Sequence, residues 1–152
     1  ELTYRIARRY AIIFAPSVRV RHEFEGFWPI AKKYFLRAYY WTKLYTKRKK
    51  FDPVATTIQE AVTTLSGVSV VVFGGLSVVA LISTLGMLTV PVKMVVAVFV
   101  GASGIHLFLI RKFIVFIWKE KGMAFAIRGL YTGLILYCFI FAGALAGKIV
   151  HR

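Results

Sequence analysis

Residues 67–90 read GVSVVVFGGLSVVALISTLGMLTV and contain no charged side chain. A helix rises about 1.5 Å per residue, so this stretch would be about 36 Å long. The hydrocarbon core of a bilayer is about 30 Å thick, and we expect the stretch to cross it as a slightly tilted helix. Pro91 follows, and we expect residues 90–92 to form a tight turn because proline breaks the helical hydrogen-bond ladder.

Two further apolar stretches, residues 92–110 and 129–147, are also long enough to cross a bilayer. The chain is 59% hydrophobic over 152 residues, which exceeds the usual level of a soluble domain. We therefore predict a mainly α integral membrane protein with about three transmembrane helices, in a domain covering residues 67–152. None of the three stretches contains an acidic residue, which argues against a proton or cation transporter.

The uneven distribution of charge predicts an orientation for these helices. The chain carries 21 Lys and Arg against 6 Asp and Glu, for a net charge of +15. Thirteen of the cations precede Thr57 and five lie in residues 111–128, whereas three lie at the other ends of the spans. Cytoplasmic loops are enriched in Lys and Arg. We expect a multi-pass protein of the cell membrane with a cytoplasmic N-terminal region and an outside C-terminus.

Several small or polar residues within the spans have a predicted packing role. Glycines four residues apart allow helix backbones to approach closely, and two such pairs are present, Gly129 with Gly133 and Gly143 with Gly147. Their presence as ordinary membrane-helix glycines is an equal alternative. We expect His106 to be a neutral residue bonded to a helix neighbour or reaching the interface, with contact to a lipid phosphate as the alternative. The single cysteine, Cys138, is expected to act as a small apolar residue.

Residues 27–66 form a basic region with the pattern of an amphipathic helix lying in the membrane interface. Its apolar face is rich in aromatic residues, among them Phe27, Tyr34, Phe35, Trp41 and Tyr45. Its other face carries Lys32, Lys33, Arg37, Lys43 and Lys47. A solvated helix packed on a soluble domain is compatible with the same pattern. The interface accounts for the basic charge, so we expect anionic lipid headgroups as partners and no nucleic acid.

Residues 111–128, RKFIVFIWKEKGMAFAIR, are the second basic segment. They are too charged to span a bilayer, and we expect two interfacial helical pieces joined at Gly122.

Residues 1–26 have a different pattern, a short helix followed by alternating residues typical of a strand. This pattern predicts the terminal helix-strand edge of an α/β domain. So few residues cannot form the core of such a domain. We expect the chain to be a piece of a longer protein.

At this edge the sequence resembles membrane-bound family 2 glycosyltransferases. In ELTYRIARRYAIIFAPSVRVRHEF, a Leu-x-x-Arg helix, a strand, a proline and a Val-x-His follow in the order seen at the end of the GT-A catalytic domain of that family; they include Leu2, Arg5, Pro16, Val20 and His22. The later stretch RKFIVFIWKEKGMAFAIRGLYTGLILYCFIFAGALAGKI is similar to the family's C-terminal membrane region. Each motif is weak by itself, and the ordered set is moderately specific.

The resemblance implies an inverting transferase that uses a nucleotide-sugar donor and Mg²⁺ or Mn²⁺. It implies that Glu1 ends an acidic catalytic motif and that His22 approaches the metal or diphosphate, with a structural histidine at a strand end as the more favoured alternative. Arg19 and Arg21 are candidate phosphate contacts, although solvated strand charges are the simpler interpretation. The catalytic base and the Asp-x-Asp metal motif would lie in a catalytic domain upstream of Glu1, so the chain alone is not expected to be catalytic.

The predicted function is the membrane-anchoring and acceptor-presenting part of a glycosyltransferase acting on a lipid-linked or glycan acceptor at the cytoplasmic face. Lys and Arg at an interface suit anionic lipid heads. The candidate contacts to a polyprenyl phosphate headgroup are Lys32, Lys33, Arg37, Lys43 and Arg111. The alternative is a non-enzymatic membrane anchor or scaffold that recruits a partner through its basic cytoplasmic surface.

Overall fold

The computed structural model describes residues 25–48, 57–83 and 90–150, which form four helices. They are α1 (Phe27–Arg48), α2 (Ile58–Ser83), α3 (Val90–Lys121) and α4 (Met123–Ile149). These three ranges contain no strand. The predicted edge of an α/β domain falls almost wholly on residues 1–24, which lie outside the described residues.

Three of the helices, α2, α3 and α4, are long and apolar enough to cross a membrane. This confirms the predicted mainly α fold with three apolar helices of spanning length. Large apolar side chains such as Ile82, Phe108 and Ile135 point away from the rest of the structure. An outward apolar surface on helices whose backbone groups are satisfied internally is compatible with a multi-pass membrane protein.

The first apolar helix begins nine residues before the predicted span, and its start has a clear cause. The Thr57 backbone N–H donates to Glu60 Oε2 at 3.1 Å, and the Glu60 N–H donates to Thr57 Oγ1 at 3.2 Å. This reciprocal pair is a capping box, which satisfies two backbone donors that a helix start leaves free. The cap fixes the start of α2 in a polar stretch that hydropathy does not select.

The predicted tight turn at residues 90–92 is not present, because α3 already begins at Val90. Pro91 therefore lies in the first turn of the helix. Proline is favoured there because its missing N–H would have no partner in a first turn and its backbone angle suits a helix.

The second basic segment, residues 111–128, also differs from the prediction. The expected break at Gly122 is present, with φ 82°, but residues 111–121 continue α3 and residues 123–128 begin α4. No glycine or proline precedes Gly122 in this segment, so nothing stops α3 earlier. Residues 111–128 are thus the end of a helical hairpin, continuous with α3 and α4, and not two separate short helices. We call them the hairpin tip.

The four helices pack in a defined order. α2 lies mainly against α3, while α4 contacts both of them. α1 packs extensively against α4 and makes no contact with the other two described helices. The attachment of α1 to the bundle within the described chain therefore depends on α4.

Candidate functional site

The predicted amphipathic character of α1 is visible in the exposure of its side chains. Ala31 is fully buried against the bundle, whereas Lys32, Lys33 and Arg37 are exposed. Lys43 is half-buried. α1 therefore presents most of its predicted headgroup contacts on the side opposite to its packed face.

The packed face of α1 rests on two glycines of α4. Gly143 and Gly147 are both buried. A Cβ built on Gly143 would overlap the Phe35 carbonyl, and one on Gly147 would lie 2.5 Å from the Tyr39 carbonyl oxygen. The predicted close approach of a helix backbone at this glycine pair is confirmed, and its partner is α1.

The other predicted glycine pair on α4 does not receive a helix backbone. A Cβ on Gly129 would meet the Ile117 side chain at 3.3 Å, and a Cβ on Gly133 would have no neighbour within 4 Å among the described residues. This pair therefore brings only one side chain of α3 close to α4.

The contacts between α1 and α4 run parallel along the two helices. The rings of Trp28 and Phe139 meet edge to face with centroids 6.3 Å apart. The Phe35 carbonyl reaches Gly143 further along both chains. α1 thus lies beside the C-terminal half of α4, whereas the hairpin tip lies at the N-terminal end of α4. The two basic segments, which were predicted for one membrane face, are at different ends of this bundle.

This docked position has an electrostatic cost if α4 crosses a bilayer. Lys32, Lys33 and Arg37 would stand beside the C-terminal half of α4, between the levels of Phe139 and Gly147. A charged side chain costs about 2.5–3.5 kcal/mol at the bilayer centre on insertion scales, and less towards the ends of a span. The predicted interfacial position of α1 avoids that cost but requires α1 to separate from α4. The docked and the interfacial placements are therefore two different positions of α1.

Two of the candidate cations on α1 have partners that hold their side chains. Lys33 forms an ion pair with Glu25. The Lys43 ammonium lies 4.8 Å from the centre of the Tyr39 ring. These contacts hold the two lysines on α1 without burying their charges.

Arg111 is separate from the α1 cations, because α3 and α1 make no contact in the described chain. Its guanidinium donates to the Phe108 carbonyl at 2.7 Å and stacks over the Phe108 ring. The structure therefore does not bring Arg111 together with the other predicted headgroup contacts.

A shallow groove on α1 does bring two of the predicted contacts together. It is lined by Ile30, Lys33, Tyr34 and Arg37. Lys33 and Arg37 are one helical turn apart, so their side chains neighbour each other on one face. An apolar wall with two cations suits an amphipathic anion such as a lipid phosphate. Lys32 is exposed but does not line this groove.

A buried polar cluster joins the three apolar helices. His106 of α3 is 2% exposed, and its Nδ1 lies 2.9 Å from Ser66 Oγ of α2. Ser66 donates its single proton to the Thr63 carbonyl at 2.8 Å, which leaves Nδ1 as the donor in the bond to Ser66. In a neutral imidazole this assigns the proton to Nδ1 and leaves Nε2 as an acceptor. The predicted bond of His106 to a helix neighbour is confirmed.

Tyr137 of α4 completes this cluster. Its ring meets the His106 ring edge to face, with centroids 5.5 Å apart and an interplanar angle of 88°. Gly67 makes room for the contact, since a Cβ there would lie 2.7 Å from the Tyr137 ring. Within the described ranges, His106 Nε2 and Ser103 Oγ are buried without a hydrogen-bond partner.

Sequence reasoning did not identify Ser66, Gly67 or Tyr137. A signal for the α2 residues exists in the spacing of small residues along that helix, since Thr63, Gly67 and Ser77 are its buried positions. Small residues on one face of a membrane helix mark its packed side. Nothing in the local sequence marks Tyr137.

The described residues contain no group of three or more His, Cys, Asp or Glu that could hold a metal ion. The candidates implied by the family resemblance, Glu1, Arg19, Arg21 and His22, lie outside the described residues. Cys138 is a half-buried free thiol on α4.

Comparisons with known proteins do not identify the chain. No family model, curated protein or solved structure matches it. The resemblance to family 2 glycosyltransferases therefore rests on the quoted motifs alone and stays a prediction.

Proposed function

We propose that this chain is the membrane-anchoring and acceptor-presenting part of a glycosyltransferase of the cell membrane. The proposed enzyme transfers a sugar from a nucleotide-sugar donor to a lipid-linked or glycan acceptor at the cytoplasmic face. The observation that carries the proposal is the groove of α1, in which Lys33 and Arg37 stand beside Ile30 and Tyr34. A polyprenyl phosphate has an anionic head on an apolar tail, and this combination of side chains suits both parts.

The reaction class comes from the ordered resemblance to family 2 glycosyltransferases. In this proposal an upstream catalytic domain supplies the base, the Asp-x-Asp motif and the Mg²⁺ or Mn²⁺. The apolar helices α2, α3 and α4 hold that domain at the membrane. α1, between the catalytic domain and the bundle, places the acceptor phosphate close to the active site.

The proposed topology has the N-terminal region in the cytoplasm and the C-terminus outside, and it requires α1 to lie in the cytoplasmic interface. Two aspects of the sequence support it, the excess of cations before Thr57 and the five cations of the hairpin tip. In this topology, α1 packs against α4 only where the lipid bilayer does not make that position unfavourable. The crosslinking experiment in the Discussion measures which position α1 takes.

Sugar transfer by the full-length protein in liposomes tests the proposal. Nucleotide sugars would be supplied with a polyprenyl phosphate acceptor, with and without a chelator. We expect metal-dependent transfer. The change Arg37→Gln should raise the KM for the acceptor about tenfold, since a bond to a charged group contributes about 1.5 kcal/mol or more, and leave the KM for the donor unchanged.

The matched control is Lys47→Gln, which also removes one exposed cation from α1 but lies outside the groove. It should leave both KM values nearly unchanged. An equal rise in the acceptor KM for both variants would argue for a diffuse charge effect and against the groove. A full-length protein that inserts and folds but transfers no sugar with any donor would reject the enzyme and favour the scaffold alternative.

A further inference from the structure

The hairpin tip, residues 111–128, concentrates positive charge at one end of the bundle. Its five cations are all exposed: Arg111, Lys112, Lys119, Lys121 and Arg128. Glu120 is its one acidic residue, and no residue of the tip forms an ion pair with another described residue. Among the described residues, the other four cations also lack a ring contact like that of Arg111 with Phe108. The tip thus carries four cations with neither an ion pair nor a ring contact in this part of the chain.

The length of α3 places this cluster outside the hydrocarbon core. α3 has 32 residues, or about 48 Å of helix. A hydrocarbon core of about 30 Å leaves about 18 Å in excess. The eleven residues 111–121 of α3 account for about 16 Å of helix. The apolar residues 90–110 therefore fit the core, and the charged end crosses the headgroup layer, which is about 5–8 Å thick on each side, and continues beyond it.

The hairpin geometry holds the cations along the bundle axis and not flat on the membrane surface. Gly122 is the single residue between α3 and α4, and both helices remain regular up to it. Ile117 is buried and its side chain lies close to Gly129 across the hairpin. The tip is thus a continuous extension of two packed helices, with its charges at fixed heights above the core.

Aromatic side chains lie on the same segment as these charges. Phe113, Phe116, Trp118 and Phe125 are all at least half exposed. Aromatic residues concentrate where the hydrocarbon meets the headgroups. Exposed rings among cations that directly continue helices of membrane-spanning length fit a lipid layer, because the rings suit the limit of the hydrocarbon and the cations suit the phosphates.

We propose that the hairpin tip binds the phosphate groups of anionic phospholipids, with Lys112, Lys119, Lys121 and Arg128 as its contacts. All four are exposed. Lys112 lies next to the limit of the core, and Lys119, Lys121 and Arg128 lie nearer the end of the hairpin, from which their long side chains can reach back to the headgroups. Arg111 contributes less because its guanidinium is held by Phe108. This proposal does not depend on sugar transfer, since it concerns the lipids around the bundle and not the acceptor.

Lipid retention in nanodiscs tests this site with the full chain. The protein would be placed in mixtures of phosphatidylcholine and phosphatidylglycerol, and the lipids that remain bound would be counted by native mass spectrometry. We expect a preference for phosphatidylglycerol. The variant with Lys112, Lys119, Lys121 and Arg128 all changed to Gln should show a preference at least about tenfold lower, because each removed charge weakens attraction to an anionic headgroup by about 1 kcal/mol.

The matched control exchanges the same positions without removing charge, as Lys112→Arg, Lys119→Arg, Lys121→Arg and Arg128→Lys. It should keep the preference. A neutral variant that still prefers phosphatidylglycerol would overturn the proposal. So would a native preference that millimolar inorganic phosphate abolishes, because a free-phosphate site would then explain the binding. If the fourfold neutral variant does not fold, Lys119→Gln and Lys121→Gln tested singly must each lower the preference.

Discussion

The Phe35 carbonyl of α1 lies against Gly143 of α4, in the space that any side chain at position 143 would occupy. A backbone group of one helix is thus in direct contact with the backbone of another. Since α1 contacts no other described helix, this pair and its neighbour at Gly147 hold α1 in the bundle. The docked position of α1 depends on the absence of two side chains.

The change Gly143→Ala should release α1 from α4. Because the added Cβ overlaps the Phe35 backbone and not the end of a flexible side chain, the helix itself has to move. Release is measurable by crosslinking Trp28→Cys to Phe139→Cys with a short bifunctional maleimide, in a Cys138→Ala background.

In detergent, the protein with Gly143 should crosslink between positions 28 and 139, and the Gly143→Ala variant should not. Gly133→Ala is the control on the same helix, since a Cβ at Gly133 meets none of the described residues within 4 Å. Crosslinking that persists in Gly143→Ala would show that the contact at Gly143 does not hold α1 against α4. In bilayers, the proposed interfacial position predicts weak crosslinking even with Gly143 present.

The bond between Ser66 and His106 should stabilise the pairing of α2 with α3. Hydrogen bonds between membrane helices contribute about 0.6 kcal/mol on average and at most about 1.7 kcal/mol. A double-mutant cycle of Ser66→Ala and His106→Phe, followed by unfolding in mixed micelles, should give a coupling free energy in this range. Ser69→Ala is the control for Ser66→Ala, because the Ser69 hydroxyl donates to the Leu65 carbonyl of its own helix. No coupling between Ser66 and His106 would contradict the assignment.

Gly67→Ala should destabilise the bundle by about 1–3 kcal/mol, the usual cost of an overpacked core. Its Cβ would lie 2.7 Å from the Tyr137 ring and 3.1 Å from His106 Cε1. Unfolding in mixed micelles measures the loss. Adding Tyr137→Leu should recover part of it because the smaller side chain leaves space. Gly75→Ala, for which no described atom lies within 4 Å of the new Cβ, should be neutral or slightly stabilising.

Gly122→Ala should destabilise the hairpin although its Cβ would touch no described residue. With φ 82° and ψ 172°, Gly122 has a conformation that is essentially restricted to glycine. The expected cost is about 1–3 kcal/mol, measured by the same unfolding method. Gly122→Asn should fare no better, because asparagine favours a different region of positive φ. Gly104→Ala, a helical position with open space, serves as the control and should not lower stability.

The apolar helices could be predicted because their signal is local. The length of an uncharged run such as residues 67–90 can be read from the sequence without knowing which helices it packs against. The ends of the helices were less predictable from hydropathy. Thr57 and Glu60 start α2 in polar sequence, and α3 continues to Lys121 because charges mark the limit of the hydrocarbon and do not end a helix.

The contacts between helices depend on how each helix is rotated about its own axis and on which helices are its neighbours. A single sequence specifies neither. The glycine pair Gly143 and Gly147 predicted a close approach, but α1 as its partner could not be read from the sequence. His106 and Ser66 are 40 residues apart, and their bond depends on how α2 and α3 turn toward each other. Of the headgroup contacts predicted on α1, Lys32, Lys33 and Arg37 are exposed and Lys43 is half-buried. Arg111 does not lie near them in the described chain.

The hydrogen bonds of the α2 hydroxyl groups have a consequence during synthesis, in which α2 is made before α3. Thr63, Ser66 and Ser77 each donate to a carbonyl of α2 itself. A nascent α2 can therefore leave the ribosome and enter lipid by itself, with these protons already satisfied. His106 emerges 40 residues later and finds a hydroxyl oxygen in Ser66 that still has capacity to accept. The helix made first is complete without its partner, and the helix made later supplies the donor that joins them.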